Sequence, residues 1–329
     1  MENIKIGVIG LGFMGDLHAN CYSTLPNVNL VGIADKDLQK KELADKYNTK
    51  FYNDYKDLLN SDIDAVSVCL PDMFHVDACC DAAKAKKHIL VEKPLAHNHE
   101  SAKKIIKASK ENNVRLMVAH ILRFDPRCVQ LYENTSKDKI GDLIHIKAKR
   151  ATIIDVANRL SSTSSILYYL GVHDIDLINW ISRSEIKSVY AKKVEKHNNG
   201  NEDSLLAILE LENGALGMLD YCWSWPSALP SGYNFNFEVL GTKTGNFIDM
   251  RDQGIWEITQ DKLSSFDTHL WPTTNGKITG DLKDELLHFS EAIKNKSNFL
   301  QEPEFAAKSI KVIDCIFESI EKGNKVSIV

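Results

Sequence analysis

Nowhere does the 329-residue chain approach the ~18 uninterrupted apolar residues of a membrane-crossing helix, so no transmembrane span is expected. Its first residues, MENIKIGVIGLG, lack the separate charged region and small-residue cleavage site of a secretory leader. Seven cysteines (Cys21, Cys69, Cys79, Cys80, Cys128, Cys222 and Cys315) form no CxxC pair and no Cys/His cluster at zinc spacing, so no metal is expected. An odd, dispersed set of this kind points to reduced thiols, and with the missing leader to a cytoplasmic protein. Charge of one sign is also lacking. Forty Lys and Arg are scattered among 45 Asp and Glu, without the basic stripe that draws a protein to nucleic acid or an acidic membrane. Neither partner is expected. Internal repeats, low-complexity segments and long linkers are absent as well.

The length is enough for about two domains. Residues 3–9, 29–34, 64–70, 88–92 and 114–119 are short apolar, β-branched runs bounded by polar residues, as in strands covered on both faces. Stretches of helical length at 37–47, 74–87 and 99–112 separate them. This alternation predicts βαβ units and a doubly wound parallel sheet over residues 1–120. After about residue 120 the rhythm changes. Helices are expected at 126–137 and 165–182, with a strand at 142–152. Strands follow at 186–195, 203–211, 215–222, 234–240, 246–250 and 254–259, with turns such as Asn213-Gly214 between them. Helices return at 281–295 and 303–322. Residues 121–329 therefore read as an α+β domain with a large, mostly antiparallel sheet, its C-terminal helix free to pack back on the first domain. Segment 260–280 is the least regular and suits a loop over the site.

The first strand runs into Gly10-Leu11-Gly12-Phe13-Met14-Gly15, a GxGxxG, and then into a helix. Gly10 permits the tight turn, Gly12 lets backbone approach a pyrophosphate, and Gly15 lets the helix pack on the strand. The helix N-terminus offers N–H groups and a positive dipole end to phosphates. Asp35, 20 residues beyond Gly15 at the end of the second strand, is placed to accept the ribose hydroxyls. It repels a 2′-phosphate and favours NAD over NADP. Lys36 partly offsets that repulsion, which leaves NADP possible.

Three further segments stand at carboxyl ends of strands, where open α/β sheets bind ligands: Cys69-Leu70-Pro71-Asp72-Met73-Phe74-His75, Glu92-Lys93-Pro94, and Ala119-His120-Ile121-Leu122-Arg123-Phe124-Asp125-Pro126. With the glycine loop, and with Gly171-Val172-His173-Asp174-Ile175-Asp176 and Val239-Leu240-Gly241-Thr242-Lys243-Thr244-Gly245, they resemble the glucose-fructose oxidoreductase / inositol dehydrogenase / MocA family over almost the full length. Glu-Lys-Pro after a Rossmann glycine loop is the most specific of these marks.

The resemblance implies an NAD(P)-dependent dehydrogenase that moves hydride between a secondary alcohol of a sugar, sugar derivative or polyol and the nicotinamide. It also implies a homo-oligomer, a dimer or tetramer, paired through the open face of the second sheet. Lys93 takes the role of the family lysine that reaches the nicotinamide and the reacting hydroxyl, where an ammonium stabilises a developing alkoxide. Lys93–Pro94 is an X–Pro bond, for which cis costs little. His173 matches the family histidine that takes or relays the alcohol proton, a task suited to a side chain titrating near neutrality. In a regular helix Tyr169, His173 and Asp176 share one face, separate from an apolar stripe of Leu170, Leu177, Ile178 and Ile181.

The expected cofactor site comprises Gly10, Gly12, Phe13, Met14, Gly15, Asp35, Leu70, His75, Glu92 and Lys93; the expected substrate contacts are Arg123, Tyr169 and Asp176. A structural Arg123–Asp125 network is an equal alternative for Arg123. Tyr221, Trp223 and Trp225 suit either a sugar face or core packing. His97 and His99 read as surface residues, and Cys79-Cys80 as helix packing. One position departs from the pattern: many family members acting on inositols carry an aspartate four residues before the histidine, and here it is Tyr169. That change fits a bulkier or differently oriented substrate, a proton path through Lys93 and His173 alone, or lost activity. Two other functions stay open, NAD-assisted glycoside hydrolysis and non-catalytic regulation by bound dinucleotide.

Overall fold

The computed structural model describes residues 3–160, 163–197, 202–251, 253–261 and 263–328. The chain falls into two compact units, Met1–Phe124 with His269–Ile310, and Asp125–Thr268 with Lys311–Val329.

In the first unit β1 (Ile4–Ile9), α1 (Phe13–Thr24), β2 (Val28–Ala34), α2 (Glu42–Lys46), β3 (Lys50–Tyr52), α3 (Tyr55–Leu59), β4 (Ala65–Val68), α4 (His75–Lys84), β5 (His88–Glu92), α5 (His99–Glu111) and β6 (Leu116–Ala119) follow one another. The strands form one sheet in the order β3-β2-β1-β4-β5-β6, every pair parallel. This is the doubly wound order, which reverses direction beside β1 and so puts the glycine loop at the switch point. Every residue of β4 and β6 is buried, as a sheet covered on both faces requires. α2 falls within the expected helical stretch 37–47, whereas β3 and α3 are too short for periodicity to reveal and are additions to the expected strands and helices. Asn98 caps α5 by accepting the Ser101 N–H at 2.8 Å.

The second unit opens with α6 (Pro126–Asn134), α7 (Lys137–Ile140), β7 (Leu143–Ile153), α8 (Ile154–Leu160) and α9 (Val172–Ser182). Next come β8 (Ile186–Val194), β9 (Ser204–Leu211), β10 (Leu216–Trp225), β11 (Tyr233–Gly241), β12 (Gly245–Asp249), β13 (Trp256–Ile258) and β14 (Leu263–Ser265). Residues 269–310 then return to the first unit with β15 (Thr273–Thr274), β16 (Lys277–Ile278) and α10 (Asp281–Asn295). α11 (Pro303–Lys322) starts in that unit and ends in the second, where β17 (Val326–Ser327) completes the sheet. The order is β12-β11-β7-β10-β9-β8-β17, antiparallel throughout except for the parallel β7–β10 pair.

Along β9 burial alternates residue by residue, so one face of this sheet packs and the other is bare. The packed face carries Ile146, Ala148, Leu205, Ala207, Leu209, Leu219, Phe237 and Val239. The end of α11 is tied to β8, whose Ala191 N–H donates to Ser319 Oγ at 3.0 Å. Among the described residues no helix is long and apolar enough to cross a membrane.

Candidate active site

β1 delivers the chain into a loop shaped for backbone approach. Gly10 has φ +85°, and its N–H donates to Ala34 O at 2.8 Å. A Cβ on Gly15 would stand 1.7 Å from Gly10 O, so α1 closes onto the loop only with glycine there. Gly12 faces open space and precedes α1 without a side-chain cap, so no side chain competes for the first N–H groups of the helix. An anion fits that end. Asp35 Oδ2 accepts the Leu11 N–H at 2.6 Å and Oδ1 accepts the Asp37 N–H at 2.8 Å. The carboxylate thus braces the loop and keeps lone pairs for further donors. These features suit a dinucleotide.

Met14 is half-buried, whereas Phe13 is 68% exposed and meets Trp271 edge-on with ring centroids 5.7 Å apart. The irregular segment expected as a loop over the site therefore brings Trp271 to the glycine loop. Sequence reasoning did not identify this residue.

At the end of β5, Glu92 is buried and Lys93 half-buried. The Lys93 N–H donates to Glu92 Oε2 at 3.2 Å, and the Lys93–Pro94 bond is cis. His75 is buried, with Nδ1 2.9 Å from Pro94 O and Nε2 2.7 Å from Leu70 O. Each ring nitrogen lies against a backbone carbonyl, and whichever carries the proton donates to it, so the imidazole packs the end of β4 against the Lys93–Pro94 turn. Burial pulls the pKa of this ring down, against the raising effect of those carbonyls. Leu70 supplies the carbonyl and is itself partly buried. Arg123, in the turn after β6, is only 6% exposed. Asp125 caps α6 and pairs with Arg127, its Oδ2 2.5 Å from Nη2.

In the second unit the expected 165–182 helix is interrupted. Leu167–Gly171 is a π-helical turn ahead of α9, a distortion that often marks functional sites. The wider turn alters the spacing on which a shared Tyr169, His173 and Asp176 face depends. Tyr169 and His173 are partly exposed, while Asp176 is buried with Leu170, Leu177, Ile178 and Ile181.

Next to His173, Asp174 forms a bidentate pair with Arg150, at 2.8 Å for both Nε–Oδ2 and Nη2–Oδ1. The guanidinium lies over the Phe235 ring, 4.6 Å from its centroid. Burial pushes the Asp174 carboxyl up, against the pull of Arg150. This pair was also missed. Its signal was available, because alternation along β7 puts Arg150 on the same face as Ile146 and Ala148. Tyr221 and Trp223 are fully buried core residues, and the Trp223 indole N–H donates to Glu202 O; Trp225 is exposed. The seven cysteines are free thiols.

Comparison with known proteins agrees with this geometry. Residues 4–120 match the family described as "Oxidoreductase family, NAD-binding Rossmann fold", and residues 133–328 match "Oxidoreductase family, C-terminal alpha/beta domain". An uncharacterized oxidoreductase of Bacillus subtilis, YrbE, is 29% identical over 89% of this chain and 87% of its own length. The myo-inositol 2-dehydrogenase of Thermotoga maritima is 30% identical over 75% of each chain. The crystal structure of scyllo-inositol dehydrogenase from Lactobacillus casei, with bound NAD(H) and scyllo-inositol, covers 99% of both chains with a TM-score of 0.84 at 21% identity. The chain is a member of the glucose-fructose oxidoreductase / inositol dehydrogenase / MocA family, an oxidoreductase with an NAD-binding Rossmann domain.

Proposed function

We propose that this enzyme oxidises a secondary alcohol of an inositol-like polyol or a related sugar, with NAD as acceptor. The open approach at Gly12, braced by Asp35 on the Leu11 N–H, is the observation that carries the cofactor reading. NAD, when bound, would supply the hydride acceptor. Gly10, Gly12, Phe13, Met14 and Gly15 would hold its phosphates at the start of α1, and Asp35 its adenosine ribose. Leu70 and Glu92 wall the strand ends, and His75 clamps them together. Lys93 stabilises charge developing on the alcohol oxygen. His173 takes the hydroxyl proton. Tyr169 and Arg123 line the substrate. Asp176, on the same helix and buried, is the third substrate contact of this reading.

The substrate class follows the relatives, which act on myo- and scyllo-inositol. A panel of inositols, aldoses and nucleotide sugars, followed by NADH absorbance with NAD and NADP, tests the reading. NADH should accumulate with a polyol and NAD. Release of free sugar from a glycoside without net NADH, or cofactor binding with no turnover on the panel, would replace it by hydrolysis or by regulation.

We further propose a cytoplasmic homo-oligomer, dimer or tetramer, paired through the bare face of the second sheet. Tyr190, Ile208 and Met218 stand in register across β8, β9 and β10, with Leu206 and Leu216 beside them, all at least 38% exposed. An apolar patch of this kind marks a contact surface. Light scattering should give a multiple of the 37.0 kDa chain mass, and Ile208→Asp should lower it. A monomeric unmodified protein would refute this assembly.

A further inference from the structure

Beneath the glycine loop the first unit buries ionisable groups that the proposed reaction does not use. α10 turns Leu282, Leu286, Phe289 and Ile293 inward, and Glu285 occupies the same stripe with no exposure at all. Neither of its carboxyl oxygens has a hydrogen-bond partner among the described residues. Groups that face it include Tyr22 on α1, Cys69 after β4, Glu92 at the end of β5, and Asp281 one turn back on α10. Glu92 is placed differently. Its Oε1 lies 3.1 Å from Nε2 of the fully buried His18, and its Oε2 accepts the Lys93 N–H.

Two carboxyls facing each other in a sealed space do not both ionise, since each charge opposes the other and neither has water to solvate it. The ionised form needs donors. Glu92 accepts the Lys93 N–H and lies against the His18 ring, while Glu285 has no donor among the described residues, so the proton belongs on Glu285.

We propose that Glu285 is a positioning residue, a buried carboxylic acid that holds Glu92 in its contact with the Lys93 backbone. The proposal rests on the role assigned to Lys93 above. As a neutral acid Glu285 has an O–H to donate to the ionised Glu92, directly or through an internal water. His18 Nδ1, also buried and without a partner among the described residues, is a second polar atom such a water would satisfy. Burial, followed by the charges of Glu92 and Asp281, pushes the Glu285 carboxyl well above the usual carboxylate range.

The test uses the full-length protein at neutral pH. In infrared difference spectra of the unmodified protein against Glu285→Gln, the carbonyl band of a protonated carboxyl should be present in the former and missing in the latter. No difference in that band would overturn the assignment. Glu285→Leu matches the bulk but has no hydrogen-bonding group, and replacing an unpaired buried polar group in this way need not destabilise the fold. It should lower kcat by about tenfold or more while leaving NAD affinity unchanged, whereas Gln should restore kcat to within about threefold. A Leu variant with unmodified kcat would overturn the positioning role. The infrared difference reads Glu285 without turnover, and so separates failure of this proposal from failure of the Lys93 assignment.

Discussion

The two sheets of this chain solve opposite packing problems. In the first, β4 at the sheet centre is buried from end to end, Ala-Val-Ser-Val with no exposed residue. Covered on both faces, such a sheet has only its strand ends left for chemistry, and Gly10–Gly15, Asp35, Leu70, Glu92 and Lys93 all stand there. In the second sheet every other residue of β9 faces away from the core. Its faces have separate tasks, one carrying the Arg150–Asp174 pair under α9 and the other an apolar surface with ion pairs such as Lys147–Glu238. Parallel order makes position along the strand informative, while antiparallel alternation makes the face informative.

The largest expected effect breaks the packed face of the second sheet. Asp174→Ala strands the Arg150 guanidinium in the core, and loss of one partner of a buried pair costs about 3–5 kcal/mol. Lys147→Ala, three residues before Arg150 on β7, removes an exposed pair and should change stability by less than about 1 kcal/mol. Urea unfolding of both variants measures the contrast between faces, and equal losses would remove it. The next effect probes the strand ends of the first sheet. Lys93→Ala should lower turnover by about a hundredfold, or about 2.7 kcal/mol, with NAD affinity held within a few fold. Turnover retained with weaker substrate binding would reduce Lys93 to a ligand-positioning group.

Much of this was legible in sequence, for reasons that differ between the sheets. The glycine loop was readable because each glycine answers a steric demand, seen in the Gly10 φ and the closeness of Gly15 to Gly10 O. Helices 281–295 and 303–322 were expected at the bounds observed, because long amphipathic patterns carry their own period. What stayed hidden was short, or local in a way periodicity does not encode. β3 has three residues and α3 five. The π turn at Leu167–Gly171 preserves composition and changes only spacing. Glu285 had a signal that went unread, a lone carboxylate within the apolar stripe of α10. The return of 269–310 to the first unit depends on contacts far apart in sequence.

Glu285 also ties stability to pH. Its folded-state pKa is raised by burial and by Glu92 and Asp281, while the unfolded chain titrates near about 4.3. Below that pH both states hold the proton and the group contributes no slope. Above it the unfolded chain has released a proton that the folded chain keeps, so stability falls as pH rises, by on the order of 1 kcal/mol per pH unit until the folded group ionises. Gln has no such titration. The melting temperature of Glu285→Gln should therefore gain on the unmodified protein between about pH 5 and 8. Parallel curves over that range would show that Glu285 ionises normally in the folded chain.

The smallest expected effect concerns Tyr169, where the chain departs from its family. A phenol is a poor proton acceptor beside the carboxylate that family members carry there. It also stands in a π turn, where its ring is carried by backbone unlike that of a regular helix at the same spacing from His173. Both features favour a wall of the substrate site over a proton carrier. Tyr169→Phe keeps the ring and removes only the hydroxyl, and should leave kcat within about threefold. A proton-transfer role would cost about a hundredfold or more. Tyr169→Asp should instead change which polyols are oxidised, because it shortens the side chain and introduces a carboxylate. His173→Ala should be severe in either background, and normal turnover in that variant across pH 6–9 would remove α9 from the active site altogether.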